Sequence, residues 1–202
     1  MTALLAEVIA TERLTLVPLR VEHAQEMAVV LSDPALHTFI GGAPATAEEL
    51  RTRYARMVAG SPDPDVSWCN WVIGVREDQR DGAGERERGG ERLAGTVQAT
   101  VSLDPEDHED PEDHRGHEDP GRHGDLIAEI AWVVGTSWQG RGIATEAARA
   151  LVRWLDEQGV RTLIAHVHPD HGASAAVAAA VGLTPTDVWH DGEVRWRRRL
   201  GR

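Results

Sequence analysis

Lysine is absent: all 21 basic residues are arginines. That excludes a phosphate-binding loop of the Gly-Lys-Ser/Thr type, whose lysine reaches the phosphates. Beside the abundant Ala, Arg and Gly, it reads as a compositional habit rather than chemistry. Cysteine is almost absent, and the single Cys69 closes no internal disulfide, so a reducing compartment, the cytoplasm, is expected. It reads as a small core residue. No apolar run approaches the roughly 18 residues that a membrane span needs. The opening MTALLAEVIATERL lacks the basic start and small-residue cleavage site of a secretion signal. Neither export nor membrane association is expected.

Excess acid is present but local. The net charge is −12. Residues 104–125 hold ten acids against two arginines, a net −8, which leaves −4 for the rest of the chain. That balance disfavours nucleic acid, which needs a basic surface, and mildly favours a cationic substrate. Within this stretch, 106–124 has no residue of the hydrophobic set Ala, Val, Ile, Leu, Met, Phe, Trp, Tyr or Cys, and His-Glu-Asp-Pro occurs twice, at 108–111 and 117–120. Its four histidines among carboxylates suggest a divalent metal. The segment offers no scaffold to preorganise ligands, however, so it reads as a solvated insertion and no metal is expected.

With 202 residues, 41% of them hydrophobic, the chain reads as one domain over 1–202 with loop insertions at 77–91 and 104–125. The alternation in 13–19 predicts a strand, and 21–31 a helix stopped by Asp33-Pro34. Thr46 followed by Glu49 forms a capping box that opens a helix through Ala59. Strands follow at 68–76, 92–103 and 126–135, the last near-continuously apolar and so expected to be buried on both faces. A helix is predicted over 142–158, its inner stripe at Ile143, Ala147, Ala150, Leu151, Trp154 and Leu155. A strand at 160–167 and a short helix at 171–181 come next. A strand pair at 183–189 and 194–200 closes around Asp191-Gly192. The fold class is α+β, with a mixed, mostly antiparallel central sheet flanked by helices. The arginines at 197–199 read as an exposed edge.

The seam between the strand at 126–135 and the following helix carries the chemistry. It reads W-Q-G-R-G-I-A-T-E over 138–146. Helix-start N–H groups lack intrahelical partners and sit at the positive end of the macrodipole. Gly140 and Gly142 let an anion approach them closely, and Arg141 adds charge. Physics alone predicts phosphate or pyrophosphate binding. The dinucleotide pattern G-x-G-x-x-G fails, because Thr145 stands at its third glycine.

Residues 139–144, Q-G-R-G-I-A, match Q-x-x-G-x-G/A, and His168-Pro-Asp-His-Gly-Ala-Ser174 followed by Val181-Gly-Leu183 matches a second segment. In these motifs the chain resembles the GNAT-superfamily N-acetyltransferases, especially the branch with ribosomal-protein N-terminal acetyltransferases. The specific motifs cover about 126–184. The resemblance implies a sheet splayed between the strands at 126–135 and 160–167, with acetyl-CoA in the split. Its pantetheine arm would run along Trp132, Val133 and Val134, and its pyrophosphate would lie on Gln139, Gly140, Arg141, Gly142, Ile143, Ala144 and Thr145. His171 takes the family's asparagine position.

The resemblance further implies direct attack by a primary amine, of a protein or peptide N-terminus or a small molecule, without an acyl-enzyme. For the base we nominate Glu129, expected on a largely buried strand with a raised pKa; a structural glutamate is the rival reading. The family's tyrosine position is Ala178 here, so Ser174 is the candidate donor to the leaving thiolate; a helix-start hydroxyl bonded to local backbone is the rival. The missing tyrosine and His171 keep a second reading open, a non-catalytic acyl-CoA-binding domain. A homodimer also stays open.

Overall fold

The computed structural model describes residues 3–76, 91–104 and 124–201. Most of the two expected loop insertions, 77–90 and 105–123, lies outside the described residues.

Eight strands form one sheet in the order β1-β2-β3-β4-β5-β6-β8-β7. They are β1 Ile9–Ala10, β2 Leu14–Pro18, β3 Ser67–Val75, β4 Arg92–Leu103, β5 Leu126–Val134, β6 Val160–Val167, β7 Thr184–His190 and β8 Glu193–Arg199. Every neighbouring pair is antiparallel except β5 with β6, which is parallel. The helices are α1 Ala24–Val30, α2 His37–Ile40, α3 Ala47–Ala59, α4 Ile143–Glu157 and α5 Gly172–Ala180. No described helix is long and apolar enough to cross a membrane.

Alternation along the strands gives the sheet two apolar faces. On β3, Cys69, Trp71 and Ile73 join the larger cluster, where α4 lays down Ile143, Ala147, Leu151, Trp154 and Leu155 at helical spacing. Trp71 meets Trp154 edge-on, with ring centroids 5.1 Å apart. Trp71 also donates Nε1–H to the Glu7 carbonyl at 2.7 Å, so its polar end is satisfied in the core. Val72 points the other way and packs with Ala24 and Met27 of α1 and with Leu50 and Tyr54 of α3. Helix α3 opens on the expected capping box, Thr46 and Glu49 satisfying each other's backbone N–H.

Two expectations fail here. β5 is not buried on both faces: Ala128 and Ile130 are buried, whereas Glu129 and Ala131 are exposed. The chain places covering residues on only one side of that stretch. The arginine run is not at an edge either. The hairpin turns through Asp191 (φ 47°) and Gly192 (φ 84°), a tight turn with both central residues left-handed, and folds β8 inward between β6 and β7. Arg198 therefore bonds the Val181 carbonyl at 2.5 Å, and Arg197 approaches the buried Asp104 at 3.7 Å. The structure also adds β1 and α2, two and four residues long, to the sequence reading.

Candidate active site

The pairing of β5 with β6 begins at Leu126 and Val160 and ends at Glu129 and Ile164. Beyond that point β5 runs on to Val134 hydrogen-bonded only to β4, and β6 runs on to Val167 paired only with β8. The strands part into a wedge, and the β5 edge from Ile130 to Val134 faces it with backbone groups that no strand takes up. A cleft of about 850 Å³ fills the wedge. Trp132, Val133 and Val134 line one wall, the start of α4 the mouth, and α5 with the end of β6 the other wall.

The mouth is shaped by glycine. Gly140 and Gly142 have φ of 73° and 74°, the left-handed region that strains any residue with a Cβ. A Cβ at Gly140 would meet nothing within 4 Å. The glycine is thus a turn requirement that also leaves the approach open. The first intrahelical bond runs from Glu146 N to Gly142 O, which frees the N–H groups of Ile143, Ala144 and Thr145 at the positive helix end. Gln139 turns inward instead: its side-chain amide donates to the Val134 carbonyl at 3.0 Å, pinning the end of β5. Arg141 is exposed and lies 5.2 Å from the Trp138 ring centre, with Arg92 at 5.1 Å from the same ring.

A second tether fixes the helix start. Glu146 accepts from Thr11 Oγ1 at 2.6 Å, from Arg13 N at 3.1 Å and from Arg13 Nε at 2.7 Å, and Arg13 Nη1 donates to the Arg141 carbonyl at 3.1 Å. Burial pulls the Glu146 carboxyl upward, and these hydrogen bonds with the Arg13 charge outweigh it, holding the group below the ordinary glutamate value. Nothing in the sequence pairs residues 11–13 with 146, which lie more than a hundred positions apart.

The opposite wall carries His171 and Ser174. His171 caps α5, its ring 4.2 Å from that of Phe39. Burial, then the neighbouring His168, lowers its pKa against the pull of Glu193, so the ring is neutral at pH 7. Ser174, in the first turn of α5, lines the cleft. Ala178 is fully buried. Tyr54 sits on the other face of the sheet, in a cavity of about 180 Å³ that shares Val133 with the cleft; burial pushes its hydroxyl pKa up to about 12.

Glu129 departs from expectation. Its side chain is 51% exposed, so the burial from which a raised pKa was argued is missing. Instead it meets His166, which the sequence reading passed over: Nδ1 lies 3.0 Å from Glu129 Oε1. One signal was available, a lone imidazole in the otherwise apolar second half of a strand. No group of three or more His, Cys, Asp or Glu side chains able to hold a metal occurs among the described residues.

Comparison with known proteins matches this geometry. Among solved structures, the ribosomal α-N-protein acetyltransferase RimL in complex with coenzyme A is 17% identical with a TM-score of 0.65, covering 96% of this chain and 98% of that one. An acetyltransferase from Agrobacterium tumefaciens is 22% identical with a TM-score of 0.59, covering 95% and 94%. The microcin self-immunity acetyltransferase MccE, in complex with acetyl-CoA and AMP, is 14% identical with a TM-score of 0.62, covering 94% of each chain. At these identities the likeness shows the fold. No curated protein matches the sequence. A family profile described as acetyltransferase (GNAT) domain matches residues 13–184, most of the chain, and the protein therefore belongs to the GNAT acetyltransferases.

Proposed function

We propose that the protein transfers an acetyl group from acetyl-CoA to a primary amine, of a protein or peptide N-terminus or of a small molecule. One observation carries this reading: the free edge of β5 and the glycine-lined start of α4 bound the same cleft. An anion at the N–H groups of Gly142, Ile143, Ala144 and Thr145 gains the helix-end field and the Arg141 charge. A chain of amides descending from it runs along the open β5 edge past Trp132, Val133 and Val134, where Gln139 already takes the Val134 carbonyl. Such an arm covers four strand steps of about 3.3 Å, ~13 Å, from Val134 to Ile130. That is where the wedge closes. The coenzyme A in RimL and the acetyl-CoA in MccE agree with a donor of this kind.

The reactive carbonyl then lies near the vertex, within reach of Glu129. The amine nitrogen bonds the acyl carbon, the C–S bond breaks with its electron pair on sulfur, and the amine proton passes to a base at the vertex. Glu129 supplies the carboxylate of that base function. Ser174, which lines the same cleft, donates to the departing thiolate. His171, neutral and held against Phe39, offers the coenzyme one hydrogen bond from the same wall.

The test is release of free thiol from acetyl-CoA with a panel of small amines and peptides of varied N-terminus. Thermal protection by acetyl-CoA with thiol release for at least one amine supports the reading. Protection with no acceptor at all would refute transfer and leave a non-catalytic acyl-CoA-binding domain.

A further inference from the structure

Two side chains meet where β5 and β6 part. Glu129 is the last β5 residue in register with β6, opposite Ile164. His166 follows two residues further along β6, so both side chains leave the same face. Their contact, 3.0 Å from Nδ1 to Oε1, fixes the ring chemically. An ionised carboxylate can only accept, so the proton of that bond sits on Nδ1. The neutral ring then carries its lone pair on Nε2. That nitrogen is buried and has no hydrogen-bond partner among the described residues, while the ring borders the cleft. Leaving such an atom unpaired is unfavourable, and a bound amine donating its N–H would complete the bond.

We propose that His166 Nε2 takes the proton from the acceptor amine, and that Glu129 is the positioning residue that fixes the ring's tautomer and direction. The proposal rests on the transferase reading. As the C–N bond forms, the amine proton moves to Nε2; the C–S bond breaks toward sulfur, and the imidazolium later returns its proton to solvent. Glu129 on β5 and Glu193 at the start of β8 favour the imidazolium. Arg195, in register with His166 on β8, and Arg197, two pairs away opposite Ile164, oppose it. His168, just past the end of β6, and the His190 ring of β7, 5.3 Å away, complete the titratable surroundings. A carboxylate acting alone would need no ring beside it, whereas a base oriented by a carboxylate needs both.

The experiment uses the full chain with acetyl-CoA and the peptide and small-amine panel, followed by thiol release from pH 6 to pH 9. His166→Gln is expected to lower kcat by about 10²–10⁴-fold, with a residual rate that climbs steadily with pH and unchanged thermal protection by acetyl-CoA. Glu129→Gln still accepts the Nδ1 proton, so its loss is smaller. The double variant is expected to be no slower than His166→Gln alone, because the two act as one unit. Should His166→Gln lose acetyl-CoA protection, His166→Asn carries the same comparison. Wild-type turnover and pH profile in the folded His166 variant, or a double variant slower by the product of the single losses, would overturn the proposal. Absence of transfer by the wild-type protein would instead overturn the transferase reading beneath it.

Discussion

Gly95→Ala damages the cleft without altering any residue that lines it. A Cβ at Gly95 would lie 2.1 Å from the Val133 carbonyl oxygen, 2.9 Å from Val134 Cα and 3.0 Å from Val133 C. All three obstacles are backbone, so no rotamer change relieves them. Non-bonded contacts settle near 3.5–4.0 Å, so β5 must retreat from β4 by roughly 1 Å or more. Gly95 pairs with Val134, on the stretch whose other edge faces the cleft. Overpacking of this kind costs about 1–3 kcal/mol, and each kcal/mol lowers Tm by about 2–4 °C in a domain of this size. The expected loss is therefore ~2–12 °C, together with weaker acetyl-CoA binding, because the displaced stretch of β5 borders the cleft with its opposite edge. Differential scanning fluorimetry with and without acetyl-CoA measures both. Gly74→Ala is the milder comparison: its Cβ would meet Glu91 Oε2 at 2.8 Å, side chain rather than backbone, which gives way at the expense of the Thr15 hydroxyl's bond to Glu91 Oε1. A Gly95→Ala protein with the Tm of wild type and unchanged acetyl-CoA affinity would refute the close-approach argument.

Gly142→Ala puts a Cβ into a left-handed residue (φ 74°) whose nearest neighbour is Arg13 Nη2 at 3.6 Å; expected are a stability loss of about 1–2 kcal/mol from backbone strain alone and weaker binding of acetyl-CoA, read by denaturant titration and calorimetry. Glu146→Gln removes an acid-sensitive contribution: because the folded carboxyl lies below the ordinary value, its stabilisation is complete above about pH 4.3 and fades as pH falls through the folded pKa. The variant's acid-unfolding curve should therefore be shallower than that of wild type over that range, and identical slopes would contradict the Thr11–Arg13–Glu146 tether. Cys69, its thiol raised by burial to about 11, should resist iodoacetamide at pH 8 in the native protein and react once unfolded. Mass spectrometry decides, and rapid native labelling would contradict its burial.

The elements most readable in sequence are those whose signals are local. The stripe of α4, the Thr46–Glu49 box and the Asp191-Gly192 turn each need only a few neighbouring residues. The seam at 138–146 belongs with them as a strand-to-helix turn, since Gly140 and Gly142 mark its left-handed positions and the start of α4 locally. The failures are tertiary. In β5, alanines at 128 and 131 give the alternation too little contrast to show that Glu129 and Ala131 face outward. Insertion of β8 between β6 and β7 depends on which strand finds the free edge of β6, which no spacing reports. Helix α2 is a single turn, below the length at which period shows. The Glu129–His166 pair escaped for the same reason: two strands must be laid side by side, in register, before carboxylate and imidazole meet.

The end of the β5–β6 ladder at Glu129 also has a mechanical meaning. The sheet is two ribbons, β1–β5 and β6–β8, stitched along the first half of β5 and bridged by α4 across one face. Amides near the open end of β6 have a strand on one side only, so hydrogen exchange should begin there and spread toward the stitch. A ligand lodged in the wedge touches both ribbons and acts as a pin. Saturation at 100 times Kd adds about 2.7 kcal/mol to the folded state, and slowed exchange should appear first in Ala165–Val167 and in 130–134, on opposite sides of the pin.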